Sequence, residues 1–182
     1  MGRYLASKDI KVNGVCIHYA VIGEGKPVVL VHGNGESHDL FNTQIEQLVS
    51  AGYKVFAPDS RGHGANEPLT EYHYADMAED MYCFIKTLKL NKPAFYGHSD
   101  GGIIGLMLET THPGTLEVLA ASGANLSPEG LDNRMSSILE KFKDEKWQNL
   151  DEDERMKIIT DYANEIGEGL GLDSIPNIWR NV

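Results

Sequence analysis

The stretch "KPAFYGHSDGGIIGLMLETTH", Lys92 to His112, decides how the rest of this chain is read. Its opening, "KPAFYG", is short and largely apolar and predicts a strand. From Ser99 onward the apolar spacing predicts a helix. The residues at the junction, Gly97-His98-Ser99-Asp100-Gly101, fit the pattern G-x-S-x-G in the strand–turn–helix context that the pattern requires. The chemistry explains the composition. A serine held on a sharp corner needs neighbours without side chains, and the corner projects its hydroxyl away from the sheet. The helix N-terminus behind it offers free N–H groups and a positive dipole end to a developing oxyanion. Ser99 is therefore the candidate nucleophile. The competing reading is an ordinary turn in which the serine caps the helix.

Upstream, "IKVNGVCIHYAVIG" carries Asn13-Gly14, a hairpin turn signal between two predicted antiparallel strands. "VVLVHG" is a wholly apolar run suited to a strand buried on both faces. The loop after it, His32-Gly33-Asn34-Gly35, can aim a backbone N–H into the same cleft as Ser99. The backbone amides of Asn34 and Asp100 are accordingly assigned as the oxyanion hole. His32 is read as a packed loop histidine. Phe41, Ile45, Leu48 and Val49 predict a helix ending near Gly52, and "YKVFAPD" predicts the next strand. Met77, Met81, Phe84, Ile85 and Leu88 form one helical stripe, and "TLEVLAASG" predicts a last strand. This alternation implies βαβ units and a mostly parallel sheet behind an antiparallel hairpin, an α/β fold. Beyond Asn125 no strand pattern appears. Met135, Ile138, Leu139 and Phe142 form one helical stripe, and a second follows Asp151, a candidate N-cap. The expected organisation is a core over residues 1–125 and a helical, cap-like segment over 126–182.

The composition narrows the class. The chain has 182 residues and a formal net charge of −11, which disfavours a general phosphate-backbone binder, so no nucleic-acid partner is expected. No apolar run approaches the roughly 20 residues of a membrane helix. No secretory leader is visible, and the two cysteines, Cys16 and Cys83, are isolated. The expectation is a reduced, cytoplasmic protein. His32, His38 and His63 match no standard ligand spacing, so no metal is expected. Gly23-Glu24-Gly25-Lys26-Pro27 lacks the ending of a phosphate loop, and no cofactor is implied.

Taken in order, "VLVHGNGES", "PDSRGHGANEP", "FYGHSDGG" and "THPGTLEVLAASGAN" resemble the α/β-hydrolase superfamily, in particular small esterases, lipases and haloperoxidase-like members with a helical cap. The resemblance implies that Ser99 attacks an acyl carbon of a small-molecule substrate, with Asn34 and Asp100 at the oxyanion positions. It makes the loop from Asp59 to Gly64 chiefly structural. Asp100 has two readings, a residue favourable at the helix dipole or one that faces the pocket and selects cationic substrates. Family members that are dehalogenases or epoxide hydrolases use a carboxylate at the nucleophile position, which here is serine.

The family order is serine, then acid, then histidine. The histidines here are 18, 32, 38, 63, 73, 98 and 112, so none stands where the base is expected, and Asn125 occupies one position where an acid is wanted. His98 is adjacent to Ser99 and is read as a packing residue. The general base and acid are therefore unassigned. The expectation is a truncated hydrolase whose last strand forms an exposed apolar edge. Self-association or a second chain would cover it. The alternative function is a catalytically impaired remnant that serves as a binding or interaction module.

Overall fold

The computed structural model describes residues 6–71 and 73–124. The cap-like segment expected over 126–182 lies outside these residues. Within the described residues six strands form one sheet: β1 (Ala6–Val12), β2 (Val15–Gly23), β3 (Lys26–Val31), β4 (Tyr53–Pro58), β5 (Ala94–His98) and β6 (Val118–Ser122). Among the described residues three helices accompany them: α1 (Asn42–Ser50), entered through a 3-10 turn at His38–Phe41, α2 (Tyr74–Thr87) and α3 (Asp100–Thr111).

The hairpin β1–β2 closes on Asn13 and Gly14, whose φ angles of 44° and 79° are both left-handed. That is the tight turn an Asn-Gly pair favours. β2 then runs antiparallel to β4, while β4, β3, β5 and β6 are mutually parallel, in the order β1-β2-β4-β3-β5-β6. The expected α/β architecture with an antiparallel start is what the chain adopts.

β3 is apolar from Pro27 to Val31 because both faces of the sheet are covered there. Val29 and Val31 join Phe56 and Phe95 in a core with Met81, Phe84 and Ile85 of α2 and Ile104 and Leu108 of α3. Val28 and Leu30 point the other way, into a second core with Phe41, Ile45 and Val49. Successive residues of a strand face opposite sides, so the four-residue run Val28–Val31 serves both cores.

The order also positions the site. From β3 the chain passes to β4 on one side and then to β5 on the other, so the strand order reverses at β3. In open parallel sheets, ligands bind at the carboxyl ends of the strands at such a switch point. The segments that leave β3 and β5 there are His32–Ser37 and the Ser99 corner.

The two edges of the sheet differ. β1 carries Lys8, Asp9 and Lys11, whereas β6 is Val-Leu-Ala-Ala-Ser with no charge. Val118 is 56% exposed, and no further strand pairs with β6 among the described residues. Within the described residues, no helix is long and apolar enough to cross a membrane.

Candidate active site

Ser99 lies between β5 and α3 with φ 50° and ψ −117°. A non-glycine residue in this region is strained by about 1–3 kcal/mol. The surroundings enforce it. The Ser99 N–H donates to the Ser122 carbonyl at 2.7 Å, and the Ser99 carbonyl accepts from Gly102 N–H at 2.9 Å. A Cβ at Gly97 would collide with the backbone of Gly101 and Gly102, and one at Gly101 with the Val31 carbonyl. The glycines of the motif thus allow backbone to meet backbone around the serine. Ser99 occupies the N-cap position of α3, yet its side chain makes no capping hydrogen bond. The helix-capping reading of this serine is therefore not what the fold uses.

Asp100 is the first residue of α3, in the first turn, where a carboxylate meets the positive end of the helix dipole. The loop after β3 passes directly against the serine. A Cβ at Gly33 would lie 3.0 Å from the Ser99 Cβ and 2.8 Å from Oε2 of Glu36. The Glu36 carboxylate accepts the Gly33 N–H at 2.7 Å. Asn34 follows on this loop and is exposed. The fold therefore brings the loop bearing Asn34 and the corner bearing Ser99 and Asp100 to one place.

A second constellation fastens the loop after β4. Asp59 is fully buried. Its Oδ1 accepts from the backbone N–H and Nδ1 of His38, both at 2.8 Å, and its Oδ2 from Ala65 N–H at 2.9 Å. Gly64, with φ 56°, permits this approach, since a Cβ there would overlap the Asp59 carboxylate. Burial pushes the Asp59 carboxyl up, but the His38 side chain and the two backbone donors outweigh it and leave it below its ordinary value. The Asp59 hydrogen bond holds the His38 imidazole above its ordinary value against the opposing effect of burial.

His32 donates from Nδ1 to the Gly33 carbonyl at 2.7 Å and accepts the Ser60 N–H at Nε2, 2.9 Å away. Accepting at Nε2 requires a neutral ring. Burial pushes its pKa down to about 4. It is a packed loop histidine. Arg61 reaches Asp80 of α2 with Nε at 2.6 Å and a second nitrogen at 2.5 Å. This is a bidentate pair with Asp80 fully buried. Asn66 donates to the carbonyls of Asp59 and Ser60 and accepts the His18 N–H.

Three further histidines, His98, His18 and His112, are tied elsewhere. His98 Nδ1 lies 3.2 Å from Ser122 Oγ, on the β6 side of the corner, in line with its packing role. His18 pairs with Asp9, and His112 pairs with Glu79 and stacks on Tyr82. No His, Cys, Asp or Glu group among the described residues could hold a metal ion.

Sequence reasoning did not single out Glu36, the His38–Asp59 pair, the Arg61–Asp80 pair or the contact between His63 and Asn34. Only the motif Asp59-Ser60-Arg61-Gly62-His63-Gly64 signalled a fastened loop. Its partners at positions 34, 38 and 80 are remote in sequence and carry no spacing that would announce them.

A family model described as the alpha/beta hydrolase fold matches residues 26–178. The chain is 34% identical over 155 residues to human serine hydrolase BPHL, covering 80% of this chain and 52% of that protein. It is 32% identical over 125 residues to the bifunctional epoxide hydrolase 2 of Sus scrofa, covering 63% of this chain and 22% of that protein. Among solved structures, epoxide hydrolase VrEH1 from Vigna radiata superposes with a TM-score of 0.70 at 22% identity, covering 86% of this chain and 53% of that one. The chain spans about half, or less, of the length of these relatives. Together with the switch-point corner at Ser99, these matches establish that the chain belongs to the alpha/beta hydrolase family.

Proposed function

We propose that this chain carries the nucleophile half of a serine hydrolase that acts on carboxylic esters or related small acyl compounds. The observation that carries this reading is the Ser99 corner. A serine is held at a strained positive φ, its side chain does not cap the helix, and the β3 loop lies against it. Strain maintained by surrounding backbone contacts is characteristic of functional residues. In the proposed reaction the Ser99 hydroxyl attacks the acyl carbon, its proton passes to a base, and the alcohol leaves to give an acyl-enzyme. The N–H groups of Asn34 and Asp100 stabilise the oxyanion. Relatives of this chain include a serine hydrolase and epoxide hydrolases. The serine at position 99 favours the former chemistry.

The test is modification by a fluorophosphonate followed by peptide mapping. Rapid, single-site modification at Ser99, abolished in Ser99→Ala, is expected. A wild-type chain that resists the reagent at Ser99 rejects the reading in favour of the non-catalytic binding module.

Self-association through β6 is proposed with it. Among the described residues the strand has one edge without a partner strand and carries exposed Val118, with none of the charges that guard β1. A second copy of the chain would bury that edge. Light scattering over a range of concentrations should show growth in mass, and a monomer at every concentration removes the idea.

A further inference from the structure

We propose that His63 is a positioning residue for the oxyanion hole, acting through the side chain of Asn34; this rests on the serine-hydrolase reading above. Asn34 stands between two glycines, and Gly35 has φ 71°. Such a segment has little side-chain packing of its own to fix it. An oxyanion donor is effective only when its direction is set before the reaction begins. The loop is tied on one side by Glu36, which holds the Gly33 N–H. On the other side, His63 Nε2 lies 3.1 Å from the terminal amide oxygen position of Asn34.

His63 is itself rigidly held. It is only 7% exposed, and its ring lies 5.6 Å from that of His32 at an angle of 54°. Its Nδ1 lies 2.9 Å from the Arg61 carbonyl. A carbonyl can only accept, so Nδ1 carries the proton. In the neutral ring Nε2 is then an acceptor, and the Asn34 amide turns its NH2 group toward it. The amide's two ends exchange by rotation, which allows this pairing. Behind it, Arg61 is clamped to Asp80, so the linkage runs from α2 through the β4 loop to Asn34.

Asn34→Ala keeps the backbone N–H while removing the tie, and His63→Ala removes the tie from the other end. Each should slow fluorophosphonate modification of Ser99 by roughly tenfold, a fraction of the 10²–10³ lost with a whole oxyanion donor. The double variant should be no slower than either single one, because both remove the same contact. On an ester substrate the loss should appear in kcat with KM nearly unchanged. Independently of activity, the {1H}-15N heteronuclear NOE of the Asn34 amide should fall in His63→Ala while that of β3 amides stays constant.

Multiplicative losses in the double variant, or an unchanged Asn34 NOE in a folded His63→Ala, would overturn the proposal and leave the hydrolase reading intact. A wild-type Ser99 that resists the reagent would remove the hydrolase reading and with it the catalytic role of His63. The NOE would still report on the tie itself.

Discussion

The corner after β5 and the loop after β4 lie on either side of β3, and they are fixed by opposite means. At the Ser99 corner, glycines without side chains do the placing. Gly97 and Gly101 let backbone touch backbone, and the strain falls on the serine between them. In the Asp59–Asn66 loop, side chains do the fastening, through Asp59 with His38, Arg61 with Asp80, and Asn66 with two carbonyls. The first design leaves the hydroxyl of Ser99 uncommitted to the helix. The second commits Asp59, His38, Arg61, Asp80 and Asn66 to holding the loop. The difference teaches that a site can be placed by steric permission on one side and by electrostatic anchoring on the other.

The sharpest break of this contrast is Asp80→Ala. It removes the buried, bidentate carboxylate from the Arg61 guanidinium, which is only 11% exposed and keeps only the longer contact to Asp76 at 3.5 Å. Removing one partner of a buried pair costs about 3–5 kcal/mol. Urea denaturation should show a loss of this size, and a loss under 1 kcal/mol would show that the loop does not depend on the pair.

Next comes acidification through His32. Its folded pKa of about 4 lies below the ordinary 6.5, so the unfolded chain binds the proton more readily. The stability associated with a neutral His32 is complete above pH 6.5 and is lost as pH falls toward 4, by about 3 kcal/mol. His38 acts with the opposite sign. Its raised pKa gives a contribution present below 6.5 that disappears as pH rises through its folded value. Comparing wild type with His32→Gln isolates the first effect. The variant should lose stability less steeply between pH 6.5 and 4, and parallel curves would contradict the assignment.

The glycine corner should respond to added atoms. Gly101→Ala drives a methyl group into the Val31 carbonyl. Overpacking of this kind costs about 1–3 kcal/mol, readable as a lowered denaturation midpoint, and a neutral result would show that α3 can move off β3.

The smallest effect has the opposite direction. Ser99→Gly relieves the positive φ and should stabilise the fold by about 1 kcal/mol while ending covalent modification at position 99. Destabilisation would mean that the corner is not strained.

Legibility followed the same division. The glycine corner was readable because its requirement is local: five consecutive residues between a strand pattern and a helix pattern. The hairpin at Asn13-Gly14 and the doubly buried β3 were readable for the same reason. The α1 segment shows the limit. Its apolar spacing predicted one helix, whereas the chain enters it by a 3-10 turn that seats His38 over Asp59. The anchoring pairs join residues 21, 19 and 29 positions apart. Neither helical nor strand periodicity reaches such separations.

The sequence by itself determined the strand–helix alternation, the corner that mounts Ser99 and the family to which the chain belongs, because each depends on neighbouring residues. Only the tertiary structure decided that the β3 loop lies against Ser99, that His32 and His38 are committed to the β4 loop, and that His63 meets Asn34. These depend on the strand order, which reverses at β3 and brings together loops that the chain keeps apart.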